Sequence, residues 1–464
     1  MEYNSLEIWG SGGPSTAPLV RNTAHSVRPR GYFSPEGRAL QLCKNEIDHF
    51  YQEGKWDDYK KITNPYEYIF LSWNRRSSRS VTTRQPLSRS YFKLIEVWQR
   101  LDITTFIASL VARDGGLVTA HAAEGPGGFI EACAVRAEKA GWEFKSAYAI
   151  TLRSDMKNVP GWRKANKFLA SYPQIIIHDG ADGTGNILNI ENQNAFVETV
   201  RAVHPLGVHL FSADGGFDFS NDFNAQEDSI FPLLLAEILL GLRVLSKGGC
   251  MIIKCFDTTE QPTLDLIWLV SRAFTEWGVI KPRTSRAGNA ERYIIGKGFH
   301  GDDADVMRIL SDYQMSATFT KPILHAVGCP SWKPMMADMA LLQDKIEHLE
   351  INVIRETLDL IRTNDTTQIR SLVRDNVTRS TQWCVEHDEA ISPVWVSDLE
   401  KLVTKETGDL LYILNPPTNI ISYNNSYYNR STSMSHLSFQ GFRTGALTHV
   451  PPSSDASNPF MRTK

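Results

Sequence analysis

Four carboxylates and one lysine stand where an apolar strand gives way to a loop: Glu124, Asp179, Asp182, Asp214 and Lys254. Lys254 falls near the end of residues 249–257, Gly-Cys-Met-Ile-Ile-Lys-Cys-Phe-Asp, a run otherwise almost wholly apolar. Runs of this kind belong to parallel strands buried on both faces. A buried ammonium is costly unless it is paired. This lysine therefore either snorkels to solvent from a strand end or works at the carboxyl edge of a parallel sheet, where open α/β folds place their chemistry. The carboxylates at neighbouring strand ends favour the second reading, because all of these ends share one edge and can converge on one cleft.

The elements that must position them alternate. Strands are expected at 116–123, 147–152, 174–178, 207–213, 249–257, 279–284 and 292–298. Helices are expected at 86–110, from 128 to 141, and at 191–203, 229–246 and 264–277. This β/α alternation implies an α/β fold, a mostly parallel seven-stranded sheet with helices on both faces. In the first helix Leu94, Val97, Trp98 and Leu101 fall at helical spacing and Ser88 is a candidate N-cap. Arg89 and Lys93, four residues apart, project from one face of it. Between the first strand and its helix lies Glu124-Gly125-Pro126-Gly127-Gly128-Phe129, a turn whose glycines let the backbone approach a ligand closely. It is neither GxGxxG nor a phosphate loop ending in Gly-Lys-Ser/Thr. Of the two cofactor classes that suit such a cleft, dinucleotides and S-adenosylmethionine, the missing phosphate signature shifts the expectation to the second.

The remaining sequence sets the frame. At 464 residues the chain has room for two or three domains. A hydrophobic content of 42%, a charged content of 22% and a formal charge of −3 are those of an ordinary soluble protein, and they neither require nor exclude a local basic groove. No apolar run reaches the length of a membrane span. The six cysteines show no CxxC pair and no zinc-ligand spacing, so they read as core residues of a reducing compartment and no metal site is suggested. Residues 1–60 read as an irregular arm with a short helix at 40–51, which either touches nucleic acid or, the preferred reading, wraps the core. Residues 301–415 read as an appended helical domain with helices at 366–387 and 394–407, and with Leu342, Ile346, Leu349, Val353, Leu360 and Ile361 along one helix face. Residues 416–464, rich in Asn, Ser, Thr, Tyr and Pro, read as a disordered tail.

Four motifs in order carry a specific resemblance: the strand into Glu124–Phe129, the turn Ala213-Asp214-Gly215-Gly216, the strand end Ile253-Lys254-Cys255-Phe256-Asp257, and Ser285-Arg286 leading to Glu291-Arg292-Tyr293. Residues 62–300 resemble the FtsJ-type (RrmJ-like) RNA ribose 2′-O-methyltransferases, and among these the cap-specific mRNA enzymes of eukaryotes and large DNA viruses. The resemblance implies a Rossmann-like methyltransferase domain at 61–300 that uses S-adenosyl-L-methionine. It implies a catalytic Lys-Asp-Lys-Glu tetrad at Lys93, Asp214, Lys254 and Glu291. It further implies cofactor contacts at Gly125, Pro126, Gly127, Gly128, Phe129, Asp182 and Asp214, and substrate contacts at Arg89, Ser285 and Arg286. Glu124 departs from the family, in which a small apolar residue is common at that position. The implied reaction is 2′-O-methylation of the first transcribed nucleotide of capped mRNA in the nucleus or cytoplasm, with capped mRNA, and other capping or transcription factors, as partners. Lys254 is expected to act as general base if neutral; as an ammonium it would instead steer the hydroxyl and stabilise the developing alkoxide. Ribosomal or another structured RNA as substrate, and a non-catalytic RNA-binding subunit, are the alternatives.

Overall fold

The computed structural model describes residues 6–12, 35–52, 54–71, 80–153, 161–216, 226–301, 304–315 and 332–393. The apolar runs assemble into one sheet of eight strands: β1 (Glu7–Ser11), β2 (Leu117–Ala122), β3 (Phe144–Ile150), β4 (Ile175–His178), β5 (Val208–Ala213), β6 (Leu245–Cys255), β7 (Phe274–Ile280) and β8 (Arg292–Phe299). Their order is β1-β7-β8-β6-β5-β2-β3-β4. Neighbours from β6 to β4 run parallel, and β8, β7 and β1 close the other edge antiparallel. β2 and β5, at the middle, are buried at every residue, their polar members Thr119, His121, His209 and Ser212 included, as strands covered on both faces are. The eighth strand is β1, from the arm expected to be irregular; its five residues pair with β7 and shield that edge.

Two helices precede the first parallel strand's own layer, α1 (Pro35–Gln52) and α2 (Lys55–Thr63). Next come α3 (Ser90–Arg100), α4 (Ile103–Asp114) and α5 (Gly128–Lys139), then the short α6 (Asn166–Ser171). The series continues with α7 (Ile190–Val203), α8 (Gln226–Val244), α9 (Gln261–Ala273), α10 (Ala304–Met315), α11 (Trp332–Thr363) and α12 (Thr366–Glu386). Side chains alternate across the sheet, so each strand feeds two cores. Cys250 and Ile252 of β6 join Ile95 of α3 and Phe129 of α5 on one face. Met251 and Ile253 join Ile238 of α8 and Trp268 of α9 on the other. None of the described helices is long and apolar enough to cross a membrane.

Three local expectations are corrected. The single helix at 86–110 is two, because Asp102 takes a left-handed conformation (φ 47°) between α3 and α4. Ser88 does not cap α3: Arg89 occupies the N-cap without a side-chain bond, and the Ser88 hydroxyl pairs with that of Ser90. The helix expected to reach 277 stops at Ala273, where extended Phe274 opens β7 and pairs with Phe299.

The helices beyond the sheet belong to the same compact unit, which spans residues 1–415. α11 lies along α1 and α2 and touches β1 and α9, while α12 packs on α2 and the helical turn Glu67–Ile69. The described part of the arm thus wraps the core. The helix expected at 394–407, the tail at 416–464 and residues 13–34 of the arm lie outside the described residues.

Candidate active site

Strand register brings the four tetrad positions to one edge. Ala213 of β5 lies beside Ile253 of β6, so Asp214 and Lys254 emerge next to each other. Lys254 in turn faces Tyr293 across the antiparallel β6–β8 pair, which leaves Glu291 just outside β8 on the same edge. Lys93 arrives from the first turns of α3. The result is two ion pairs. Lys93 Nζ donates to Glu291 Oε2 at 2.7 Å, and Lys254 Nζ lies 3.4 Å from Asp214 Oδ1 while donating to the Asp214 carbonyl at 2.8 Å. The other Glu291 oxygen, Oε1, is buried with no hydrogen-bond partner.

Electrostatics couple the two pairs. Burial opposes the Lys254 charge, but Asp214, Glu291 and Glu237 outweigh it and raise its pKa above the ordinary lysine value. Burial likewise opposes ionisation of Glu291; Lys93 and Lys254 overcome it and hold the carboxyl at about 2. The raised value favours the Lys254 ammonium, the state that the sequence left open. Around the tetrad positions lie further buried groups, of which only Glu237 was absent from the sequence reading. The Tyr293 hydroxyl donates to Asp214 Oδ1 at 2.9 Å and so aims that carboxylate. Glu237, from the middle of α8, is buried beneath Gly215, and burial pushes its carboxyl well above the usual range. Glu124 is buried too; it accepts from Ser212 and lies 3.1 Å from His121 Nδ1, and burial again raises its carboxyl.

A second cluster sets the rim. Glu67, on the turn after α2, accepts two bonds from Arg286, at 2.9 and 3.0 Å, and lies 3.4 Å from Arg89. Arg89 also donates to the Phe70 carbonyl at 2.6 Å. Burial opposes the Glu67 charge, yet the two guanidinium groups bring its carboxyl down to about 2. Ser285 is buried, and its hydroxyl donates to Asn289 at 3.1 Å, within the loop that carries Glu291. Glu96, one turn beyond Lys93 on α3, accepts from the backbone of Arg283 and Thr284 at 2.8 and 3.0 Å and ties the same loop to the helix. No sequence pattern marks Glu67 or Glu96, since each meets partners about 200 residues away.

The glycine turn follows β2 as expected, and the structure gives its members separate tasks. Gly127, at φ 105°, is the left-handed N-cap of α5. Gly125 passes so close to Gly161 that a Cβ would lie 2.9 Å from its backbone. Pro126 joins the two, through a cis peptide with Gly125. Gly128 meets the hydroxyls of Ser88 and Ser90, and Phe129 is buried, 5.9 Å from the Tyr293 ring. Above Gly127 stands Trp162, whose indole Nε1 is buried without an acceptor. Asp182 braces its own loop: its carboxylate accepts from Thr184, Asn189 and Asn192 at 2.7–3.0 Å. Asp179, at the end of β4, pairs with Arg153.

Comparison with known proteins bears on the domain that carries these residues. The family description FtsJ-like methyltransferase matches residues 86–299, a span that contains all four tetrad positions. The chain is similar to cap-specific mRNA (nucleoside-2′-O-)-methyltransferase 1 of Trypanosoma cruzi, with 32% identity over 55% of this chain and 66% of that protein. The proteins of the same name in Drosophila melanogaster and Mus musculus are each 34% identical over 44% and 42% of this chain, and over 25% and 23% of their own length. The chain thus spans between about a quarter and two thirds of these relatives. Residues 86–299, the segment that contains Lys93, Asp214, Lys254 and Glu291, are an FtsJ-like methyltransferase domain.

Proposed function

We propose that this protein methylates the ribose 2′-oxygen of the first transcribed nucleotide of capped mRNA, with S-adenosyl-L-methionine as donor and Lys254 at the reacting hydroxyl. The observation that carries the reading is the pairing of Lys93 with Glu291 and of Lys254 with Asp214 at one sheet edge, beside the glycine turn. The names of the similar proteins supply the cap. The residues present fit the cofactor: the turn at Gly127 opens α5, and the Trp162 indole N–H is a buried donor without an acceptor next to it. Gly127, the first turn of α5, Trp162 and Asp214 would hold it, while Gly125, Gly128, Phe129 and Asp182 shape their surroundings. When bound, S-adenosylmethionine supplies an electrophilic methyl on a positively charged sulfur.

Each residue then has a task. Asp214, aimed by Tyr293, holds the Lys254 ammonium in place, and Lys254 donates to the 2′-oxygen and orients it. Holding two reactants in register is worth up to ~7–11 kcal/mol. A further positive charge beside Lys254 favours release of one ammonium proton to solvent, and the neutral amine so formed takes the hydroxyl proton, a contribution on the order of 10²–10⁴-fold. Glu291 offers its unpartnered Oε1 to a ribose hydroxyl and balances Lys93. Arg89 and Arg286, preset by Glu67, face the RNA phosphates.

The test is transfer of a labelled methyl group to short RNAs, capped and uncapped. Capped RNA is expected to be methylated and Lys254→Ala to abolish transfer while cofactor binding persists. Retained turnover in Lys254→Ala would sink the assignment; equal methylation of uncapped RNA would move the substrate to structured RNA.

A further inference from the structure

Behind the tetrad, a set of buried charges joins the sheet to helices outside the family match. Asp257, two residues past β6, lies 3.6 Å from Lys44 of α1 and 3.2 Å from Arg292 of β8. Lys44 also lies 3.6 Å from Glu350 of α11, an ion-pair distance, and both Glu350 oxygens are buried without a hydrogen bond. Arg292 is fully buried and donates to Thr258 at 3.1 Å and to Gln343 of α11 at 2.6 Å. The β7–β8 register pairs Ile280 with Tyr293, which puts Lys281 beside Arg292. Lys281 is buried at 2% exposure. Its ammonium donates to the Asn289 carbonyl, to Asn289 Oδ1 at 3.0 Å and to the Glu291 carbonyl at 3.0 Å. Three acceptors match the three protons of an ammonium, and a neutral amine has only two to give.

We propose that Lys281 is a positioning residue for methyl transfer: it fixes Glu291 through the backbone of its loop, within the set of buried charges that Lys44 links to Glu350 on α11. This rests on the reading of Glu291 as the tetrad acid. The inference makes α11 part of what sets the rate, although that helix lies outside residues 86–299. The charges that act on Lys281 come from every side: Glu350, Glu291 and Asp257 favour its ammonium, and Arg292 opposes it. Burial opposes it most strongly, and its pKa falls to about 8. Lys44 stands between Glu350 and Asp257 and draws on both carboxylates. Above about pH 8 Lys281 loses a proton, one of the three loop bonds goes with it, and the rate falls.

The test uses the full chain, with methyl-transfer kcat measured against pH on capped RNA and S-adenosylmethionine affinity measured by calorimetry. Lys281→Met is expected to lower kcat by about 10²-fold, the scale of a ~1 Å displacement, with cofactor affinity retained. Glu350→Gln keeps the side-chain shape; it is expected to move the alkaline limb of the profile down by about one pH unit and leave the acid limb in place. A Glu350→Gln profile that superimposes on the wild type overturns the inference, and this variant decides alone if Lys281→Met does not fold. Glu291→Gln separates the two levels. Full activity in that variant removes the tetrad reading, whereas an inactive Glu291→Gln beside a fully active Lys281→Met removes the positioning role only.

Discussion

Two clusters of buried charge flank the ends of β6 and β8, and they differ in which cation sits at the centre. At the cleft both cations are lysines, Lys93 and Lys254, each paired with one carboxylate, and Glu291 keeps an oxygen without a partner. A few residues away the centre is Arg292, pinned by the Ala290 carbonyl, Thr258, Gln343 and Asp257 at 2.6–3.2 Å. A guanidinium stays charged at any working pH, whereas a lysine ammonium can be tuned to give up its proton. The Glu67 clamp follows the arginine pattern, with Arg89 and Arg286 sharing one carboxylate. An arginine centres the brace, with Lys44 beside it, and lysines centre the cleft. Lys281, at about 8, stands between the two.

Asp257→Asn is the change that should break this contrast hardest. It leaves Lys44 and Arg292 short of a buried partner, and removing one member of a buried pair costs about 3–5 kcal/mol. Denaturant unfolding measures it. Burial opposes ionisation of Asp257, but Lys44 and Arg292 hold its carboxyl below the ordinary 3.8. Its stabilisation is therefore complete above that ordinary value and fades as pH falls through the lower folded value. Variant and wild-type curves should differ at neutral pH and converge in acid. Parallel curves would mean that Asp257 braces nothing through its charge.

Glu291→Gln probes the other cluster and should act on rate. Charge complementarity at a reacting centre is worth on the order of 10²–10³-fold in kcat per group. Because Glu291 is held at about 2, it stays ionised across any practical assay range, so the wild-type profile should carry no acid limb from this residue. An acid limb that disappears in Glu291→Gln would show that the carboxyl titrates much higher than its two lysines allow.

The contrast also marks how far the sequence could be read. Strand and helix succession was legible because burial on both faces leaves mostly apolar runs, such as Cys250–Ile253 in β6. Asp214, Lys254 and Glu291 were legible as candidates because each sits in a short motif whose strands register joins, whereas Lys93 comes from α3, outside those motifs. The brace was not. On α11 the apolar positions announce a packed helix, but Gln343, Glu347 and Glu350 are just as buried, and a polar residue in a helical pattern normally reads as a solvated face. Glu67 and Lys281 have partners chosen by tertiary contact, and no period or spacing records a partner. β1 escaped because a five-residue edge strand has no face pattern to repeat. At Asp182 the turn was legible, while the bonds of its carboxylate to Thr184, Asn189 and Asn192 were not.

Tyr293→Phe is the finest probe of the contrast, since it removes one hydrogen bond at the border of the cleft and leaves every ion pair in place. Tyr293 is buried, and burial pushes its hydroxyl well above the usual tyrosine value, so it acts as a donor to Asp214 and nothing else. A bond to a charged acceptor contributes about 1.5–3 kcal/mol, but here Asp214 keeps Lys254 on its carboxylate and its carbonyl. The expected loss is therefore at the low end, roughly tenfold in kcat, with KM for RNA unchanged. A loss as deep as that of Glu291→Gln would move Tyr293 from aiming a carboxylate to taking part in the proton transfer. No loss would show that the Lys254 ammonium alone fixes Asp214, and that lysine, rather than the hydroxyl, sets the geometry of the edge.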